Sequence, residues 1–202
     1  RFTDEEAAAY LNGSMGVGLS ANDVAVLSKR TEGWIAALQL AALSLTGRDD
    51  PAAFIASFAG GNRYVVDYLV EEVLQRLTEE VRQFLIRTCF LSRLNGSLCD
   101  AVTGAKDSKA MLATLDRQNL FIVPLDDRRQ WYRYHHLFAD VLLEQLPDAV
   151  RTELPALHGR ASDWYEHQGE RIEAIEHAFA AVDLARAANL IELAVPTMQR
   201  DR

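Results

Sequence analysis

One stretch breaks an otherwise helical pattern. Leu120-Phe121-Ile122-Val123-Pro124-Leu125 is a continuous apolar run, too short and too β-branched for a good helix. Gln130-Trp131-Tyr132-Arg133-Tyr134 is a second, aromatic strand-like run, and Asp126-Asp127-Arg128-Arg129 between them reads as a turn. Three short helical segments precede this ribbon. Thr78 caps the first, with Val81, Phe84 and Leu85 inward; the second follows Asn95-Gly96 over Leu98 to Val102; the third follows Asp107-Ser108, with Met111, Leu112 and Leu115 inward. Three helices followed by a two-stranded hairpin is the order of a winged helix. A fourth helix, from about His136 to Leu146, places Phe138, Val141, Leu142 and Leu146 inward.

The flanking sequence is helical on both sides. Thr3-Asp4-Glu5-Glu6 is a capping box for a helix expected to reach about Asn12, where Gly13-Ser14-Met15-Gly16-Val17-Gly18 breaks it. Ser20 caps a second helix through about Lys29. Gly33 precedes a third, with Trp34, Leu38, Ala41 and Leu45 on one face, and Arg48-Asp49-Asp50-Pro51 ends it. Val66, Leu69, Val70, Val73 and Leu77 form a further stripe. After Pro147, Val150, Leu154, Leu157, Ala161 and Trp164 line one helix. His167-Gln168-Gly169-Glu170 is a turn, Ile175, Ala178, Phe179 and Val182 line the returning helix, and another starts near Leu184. This pair reads as one tetratricopeptide-like unit, which leaves a face for further repeats. The predicted fold is mainly α: a helical bundle, a winged-helix domain with one β-hairpin, and the start of a helical-repeat arm.

Composition supports a helical globular chain. Only 11 Gly and 5 Pro occur in 202 residues, and 29 acidic against 21 basic residues give a net charge of −8. That balance argues against holding nucleic acid through the bulk field of the chain. The third winged-helix segment carries only Lys109 and Arg117, with Lys106 before it, and Asp126 and Asp127 offset Arg128 and Arg129 in the wing. A protein-facing winged helix is therefore expected rather than a duplex reader. Cys89 and Cys99 are read as reduced, buried hydrophobes in a cytoplasmic protein. The chain begins Arg-Phe-Thr without an initiator Met and reads as an internal segment of a longer protein.

Chemistry-bearing patterns are sparse. Gly104-Ala105-Lys106-Asp107-Ser108-Lys109 lacks the Gly-Lys-Ser/Thr ending of a phosphate loop. The turn pairs Asp49-Asp50 and Asp126-Asp127 read as backbone-bonding residues. His158, His167 and His177 are expected on exposed helix faces or in a turn, and no zinc spacing exists. No catalytic residue and no metal ligand is assigned, and the segment is not expected to be an enzyme by itself.

Five stretches together resemble the large ATP-binding LuxR-type transcriptional regulators, the MalT-like group of STAND-class NTPases. They are Arg1 to Ala8, Thr31-Glu32-Gly33-Trp34-Ile35-Ala36-Ala37-Leu38-Gln39-Leu40-Ala41-Ala42-Leu43, Tyr64 to Leu77, Asn119 to Asp126, and Trp131-Tyr132-Arg133-Tyr134-His135-His136-Leu137-Phe138-Ala139-Asp140-Val141-Leu142. The resemblance implies a helical domain over 1–77, a winged helix over 78–146 and the start of a helical-repeat arm over 147–202. It places the phosphate loop and a promoter-binding helix-turn-helix outside this segment. ATP or ADP would be the cofactor of the full-length protein, with none expected in the isolated segment. Implied partners are the protein's own nucleotide-binding domain, a small-molecule or protein inducer, and further copies of the protein on activation. Promoter DNA would be held only through the missing C-terminal domain, and no membrane is involved.

By the same resemblance, Tyr134-His135-His136-Leu137 matches a Met-His-Asp-Leu motif whose histidine contacts the β-phosphate of ADP. His135 falls at that place, and His136 replaces the Asp. The residues alone fit equally a His135 that caps or packs the hairpin. Gly33-Trp34-Ile35 resembles a Gly-x-Pro element that covers adenine, with Ile35 at the proline position and Trp34 beside it; helical spacing alone makes Trp34 core. His135, Trp34 and Ile35 are the expected nucleotide-facing residues.

Overall fold

Local capping chemistry sets where the helices begin. The computed structural model describes residues 2–45, 54–55, 74, 77–117 and 121–198. Thr3 and Glu6 form the reciprocal capping box of α1 (Asp4–Ala8), with Thr3 N donating to Glu6 Oε2 at 2.9 Å. The regular helix ends sooner than the expected Asn12. A wider π-helical segment, Ala9–Ser14, continues it, and Met15 N reaches back to Tyr10 O. Asn12 then holds the following loop by bonding both Leu19 O (2.9 Å) and Leu19 N (2.7 Å). Ser20 caps α2 (Ala21–Thr31), accepting from Asp23 N, and α3 (Ile35–Leu45) follows after Gly33.

The contacts divide the chain into two packed units: Arg1–Thr78 with His135–Glu144, and Glu79–Tyr134 with Gln145–Arg202. In the first, Ala7, Leu11, Val24, Leu27, Leu38, Ala41 and Leu45 are buried. The helix α7 (His136–Glu144) belongs to this unit and buries Leu137, Phe138, Val141 and Leu142. The sequence groups this helix with the hairpin, whereas its packing assigns it to the N-terminal helices. The turn at Arg48 to Pro51 and the stripe from Val66 to Val73 lie outside the described residues; Leu74 is buried.

The second unit contains α4 (Glu79–Thr88), α5 (Gly96–Thr103), α6 (Ser108–Arg117), β1 (Ile122–Pro124), β2 (Tyr132–Tyr134), α8 (Asp148–His167), α9 (Arg171–Ala180) and α10 (Leu184–Met198). The strands pair antiparallel with Ile122 opposite Tyr134, Val123 opposite Arg133 and Pro124 opposite Tyr132. Leu94 adds a bridge to Tyr132 through two backbone bonds of 2.7 and 2.9 Å. Tyr132 and Tyr134 point inward, and the Tyr134 hydroxyl meets Thr88 Oγ1 at 2.6 Å. Asp126 caps the turn by accepting from Gln130 N and Trp131 N; those N–H groups hold its carboxyl below the usual range. The ribbon is therefore as expected, with its helices ahead of it. Cys89 and Cys99 are buried free thiols, and burial pushes Cys89 up to about 12 and Cys99 higher still.

Three expectations for the last helices need correction. On α8 the fully buried aromatic is Tyr165, and Trp164 is only half-buried, its indole N–H donating to Ser97 Oγ at 2.9 Å. On α9 Ala178 is inward as expected, but the other fully buried residue is the small Ala174 rather than Phe179 or Val182. Phe179 is 50% exposed and Val182, beyond the helix end, 73%. His158 and His177 are not solvent-facing: their Nδ1 atoms lie 2.8 Å apart, and they stack against Phe90 and Tyr165. Arg93 ties α9 to the hairpin, pairing with Glu170 and Glu173 while its guanidinium lies 4.4 Å from the centre of the Trp131 ring.

Candidate functional site

The segment 31–35 is shaped by two successive left-handed residues. Glu32 (φ 50) closes α2 and Gly33 (φ 65) follows, with Gly33 N bonding back to Ser28 O at 3.0 Å in the manner of a Schellman ending. Only glycine fits at position 33. A Cβ there would lie 2.3 Å from Phe2 O, because Phe2 N pairs with Gly33 O at 2.9 Å. This reversal points Trp34 N back to Thr31 O (2.9 Å) and starts α3 immediately afterwards.

His135 arrives from the far end of the sequence. It is the single residue between β2 and α7, and its carbonyl accepts from Phe138 N and Ala139 N at 3.0 and 2.9 Å, making it the N-terminal cap of α7. Its Nε2 lies 2.5 Å from Thr31 O. A carbonyl oxygen can only accept, so Nε2 carries the proton and donates. The imidazole also packs on Trp34, with ring centres 5.1 Å apart at 42°. His136 stacks on His135 at 5.1 Å and 23°, and its Nδ1 meets Glu32 Oε1 at 2.8 Å. The second Glu32 oxygen is 3.8 Å from His135 Nε2.

Two of the three expected residues, Trp34 and His135, are thus in direct contact across a hundred residues of sequence. Ile35, next to Trp34, is 44% exposed. Trp34 is not a core residue but half-buried, while His135 is 3% exposed. The His136 side chain beside it is 42% exposed, so the cluster reaches the surface through His136 and Glu32 rather than through His135 itself. Glu32 was missed in the sequence. Its position just before a helix-ending glycine marks a left-handed cap, but nothing local indicates that its partner lies at His136.

Glu32, His135 and His136 bring potential ligand atoms within 4.8 Å of one another. In this arrangement His135 Nε2 donates to Thr31 O and is not a metal ligand. The His135 N–H thus sits at the N-terminus of α7 and is bonded to Thr31 O, while His136 and Glu32 hold each other nearer the surface.

The MalT winged helix domain family matches residues 70–154, which takes in α4 through β2, His135 and α7. The chain is MalT-like. It is 36% identical to the HTH-type transcriptional regulator MalT of Klebsiella pneumoniae over 184 residues, covering 90% of this chain and 20% of that protein. MalT of Serratia proteamaculans is 35% identical over 192 residues, covering 94% and 21%. The serine/threonine-protein kinase PknK of Mycobacterium tuberculosis is 39% identical over 192 residues, covering 95% and 17%. This MalT-like chain thus spans about a fifth of the length of these curated relatives. Among the described residues, no helix is long and apolar enough to cross a membrane.

Proposed function

We infer that this chain is the regulatory middle segment of a cytoplasmic, MalT-like, ATP-dependent transcriptional activator of the LuxR type. It couples nucleotide and inducer binding to self-association, and so to promoter binding by a domain outside the segment. The observation that carries this reading is the meeting of Trp34 with His135, two residues singled out separately from segments 101 positions apart (135 − 34).

In this reading, His135 exchanges its bond to Thr31 O for one to the β-phosphate of ADP, helped by the N-terminus of α7. Trp34 and Ile35 lie against the base. Glu32 takes the place of the motif's missing Asp, holding His136 and through it the end of α7. ADP then favours the closed arrangement and ATP with inducer the open one, each through its differential affinity for the two states. The segment itself is not an enzyme. Its similarity both to regulators named for a helix-turn-helix and to a protein named as a kinase supports a switching module that serves different outputs.

The test is transcription from a target promoter in cells carrying the full-length protein. His135→Ala and Trp34→Ala should each raise inducer-free transcription several-fold. Unchanged basal transcription and unchanged inducer dependence in both would favour a helical protein-binding scaffold without a nucleotide switch.

A further inference from the structure

The second unit contains a cleft that the reading above does not use. It opens between the first turns of α5 and α6, the hairpin turn and the last turns of α8, and has a volume of about 800 Å³. That is within the roughly 300–1,000 Å³ of small-molecule sites. Four cations line it in a chain whose net charge is −8: Lys106, Lys109, Arg128 and Arg129.

The carboxylates in the same wall are already engaged. Asp100 Oδ1 accepts from Ser108 N at 3.0 Å, and Glu170 pairs with Arg93. Arg129 meets Asp116 at 2.5 Å, but neither Lys106 nor Lys109 has an ion-pair partner among the described residues. Two indoles complete the wall. Trp131 is backed by Arg93, Trp164 is fixed through its N–H to Ser97, and their rings meet edge to face at 77°, both still partly exposed. Held rigid and left open, such rings present flat faces at little entropic cost to a ligand.

We propose that this cleft binds a small phosphorylated molecule with a flat ring, a nucleoside phosphate, with Lys106, Lys109 and Arg128 on the phosphate and the two indoles against the ring. A duplex fits less well. It needs a run of cations along its backbone, and here Asp107, Asp126 and Asp127 interleave with the cations in sequence. A compact anion seated among the cations avoids those repulsions. Its lining shares no residue with the His135 cluster, and it does not depend on the reading given for that cluster.

The three tryptophans of the chain give a direct readout. In the full chain, the indole N–H resonances are assigned by single Trp→Phe changes, and AMP, UMP, glucose 6-phosphate and inorganic phosphate are titrated in turn. AMP or UMP should shift Trp131 and Trp164 without shifting Trp34, and should bind at least about tenfold more tightly than inorganic phosphate, as expected of base–indole stacking. Lys106→Ala and Lys109→Gln, the latter keeping the stem that packs on Gly96, should each weaken that binding about tenfold, and His135→Ala should leave it unchanged. Shifts confined to Trp34, phosphate or glucose 6-phosphate binding as tightly as AMP, or a short DNA duplex binding more tightly than either nucleotide would overturn the proposal. So would unaltered affinity in both lysine variants.

Discussion

At the scale of single residues, two positions carry constraints that substitution exposes. Gly33 is in the left-handed region and its missing side chain leaves room for Phe2 O. Gly33→Ala should therefore destabilise the protein by about 1–3 kcal/mol, read as a lower urea midpoint without a changed slope. His177 is the second. Burial first, and then the neighbouring His158, pushes it down to about 4; Glu173 acts weakly the other way, and burial also lowers His158. An unfolded histidine takes its proton near 6.5, so between those values the unfolded chain binds a proton that the folded chain lacks. The pair's contribution is complete above about pH 6.5 and is lost as the pH falls toward 4. Urea midpoints measured from pH 7.5 to 4.5 should fall less steeply for His177→Gln than for the unaltered chain; parallel curves would contradict this. Neither histidine was recognisable as a partner in the sequence, because a contact between α8 and α9 depends on how the two helices are rotated. Helical spacing of the apolar residues put Ala178 inside correctly but also Trp164 and Phe179, where Tyr165 and Ala174 go instead.

At the scale of elements, the turns and caps were legible and the packing faces only partly so. Thr3, Ser20, Asn95 and Asp126 each bond backbone N–H groups within a few residues, so their roles depend on local sequence alone. The β-ribbon was equally plain, since an apolar run and an aromatic run flank a turn. What the pattern could not supply was the partner of each element. The bridge from Leu94 to Tyr132 and the packing of α7 in the first unit are set by contacts between residues far apart in sequence. The helices α5 and α6 approach closely at Gly96, where a Cβ would lie 2.8 Å from Lys109 Cβ. Gly96→Ala should push α5 away from α6 and cost about 1–3 kcal/mol, whereas Gly104→Ala, which meets no neighbour, should cost only its left-handed strain of about 1 kcal/mol. Thermal unfolding of the two variants side by side checks the order. In the same unit, Tyr134→Phe should lose about 1 kcal/mol with the bond to Thr88.

At the scale of the whole molecule, the similarity to MalT regulators and to PknK extends over nearly all of this chain but about a fifth of theirs. The candidate site was legible as two separate motifs, Gly33-Trp34-Ile35 and Tyr134-His135-His136. That they touch, and that Glu32 joins them, follows only from α2, α3 and α7 packing in one unit. The account turns on His135 changing partner, from a backbone carbonyl of its own chain to a phosphate. The most direct measurement is the equilibrium affinity of the full-length protein for ADP by titration calorimetry, before and after His135→Ala. Loss of a hydrogen bond to a charged phosphate predicts about ten- to a hundredfold weaker ADP binding, with ATP binding less affected. Identical ADP affinity in the two proteins would contradict it.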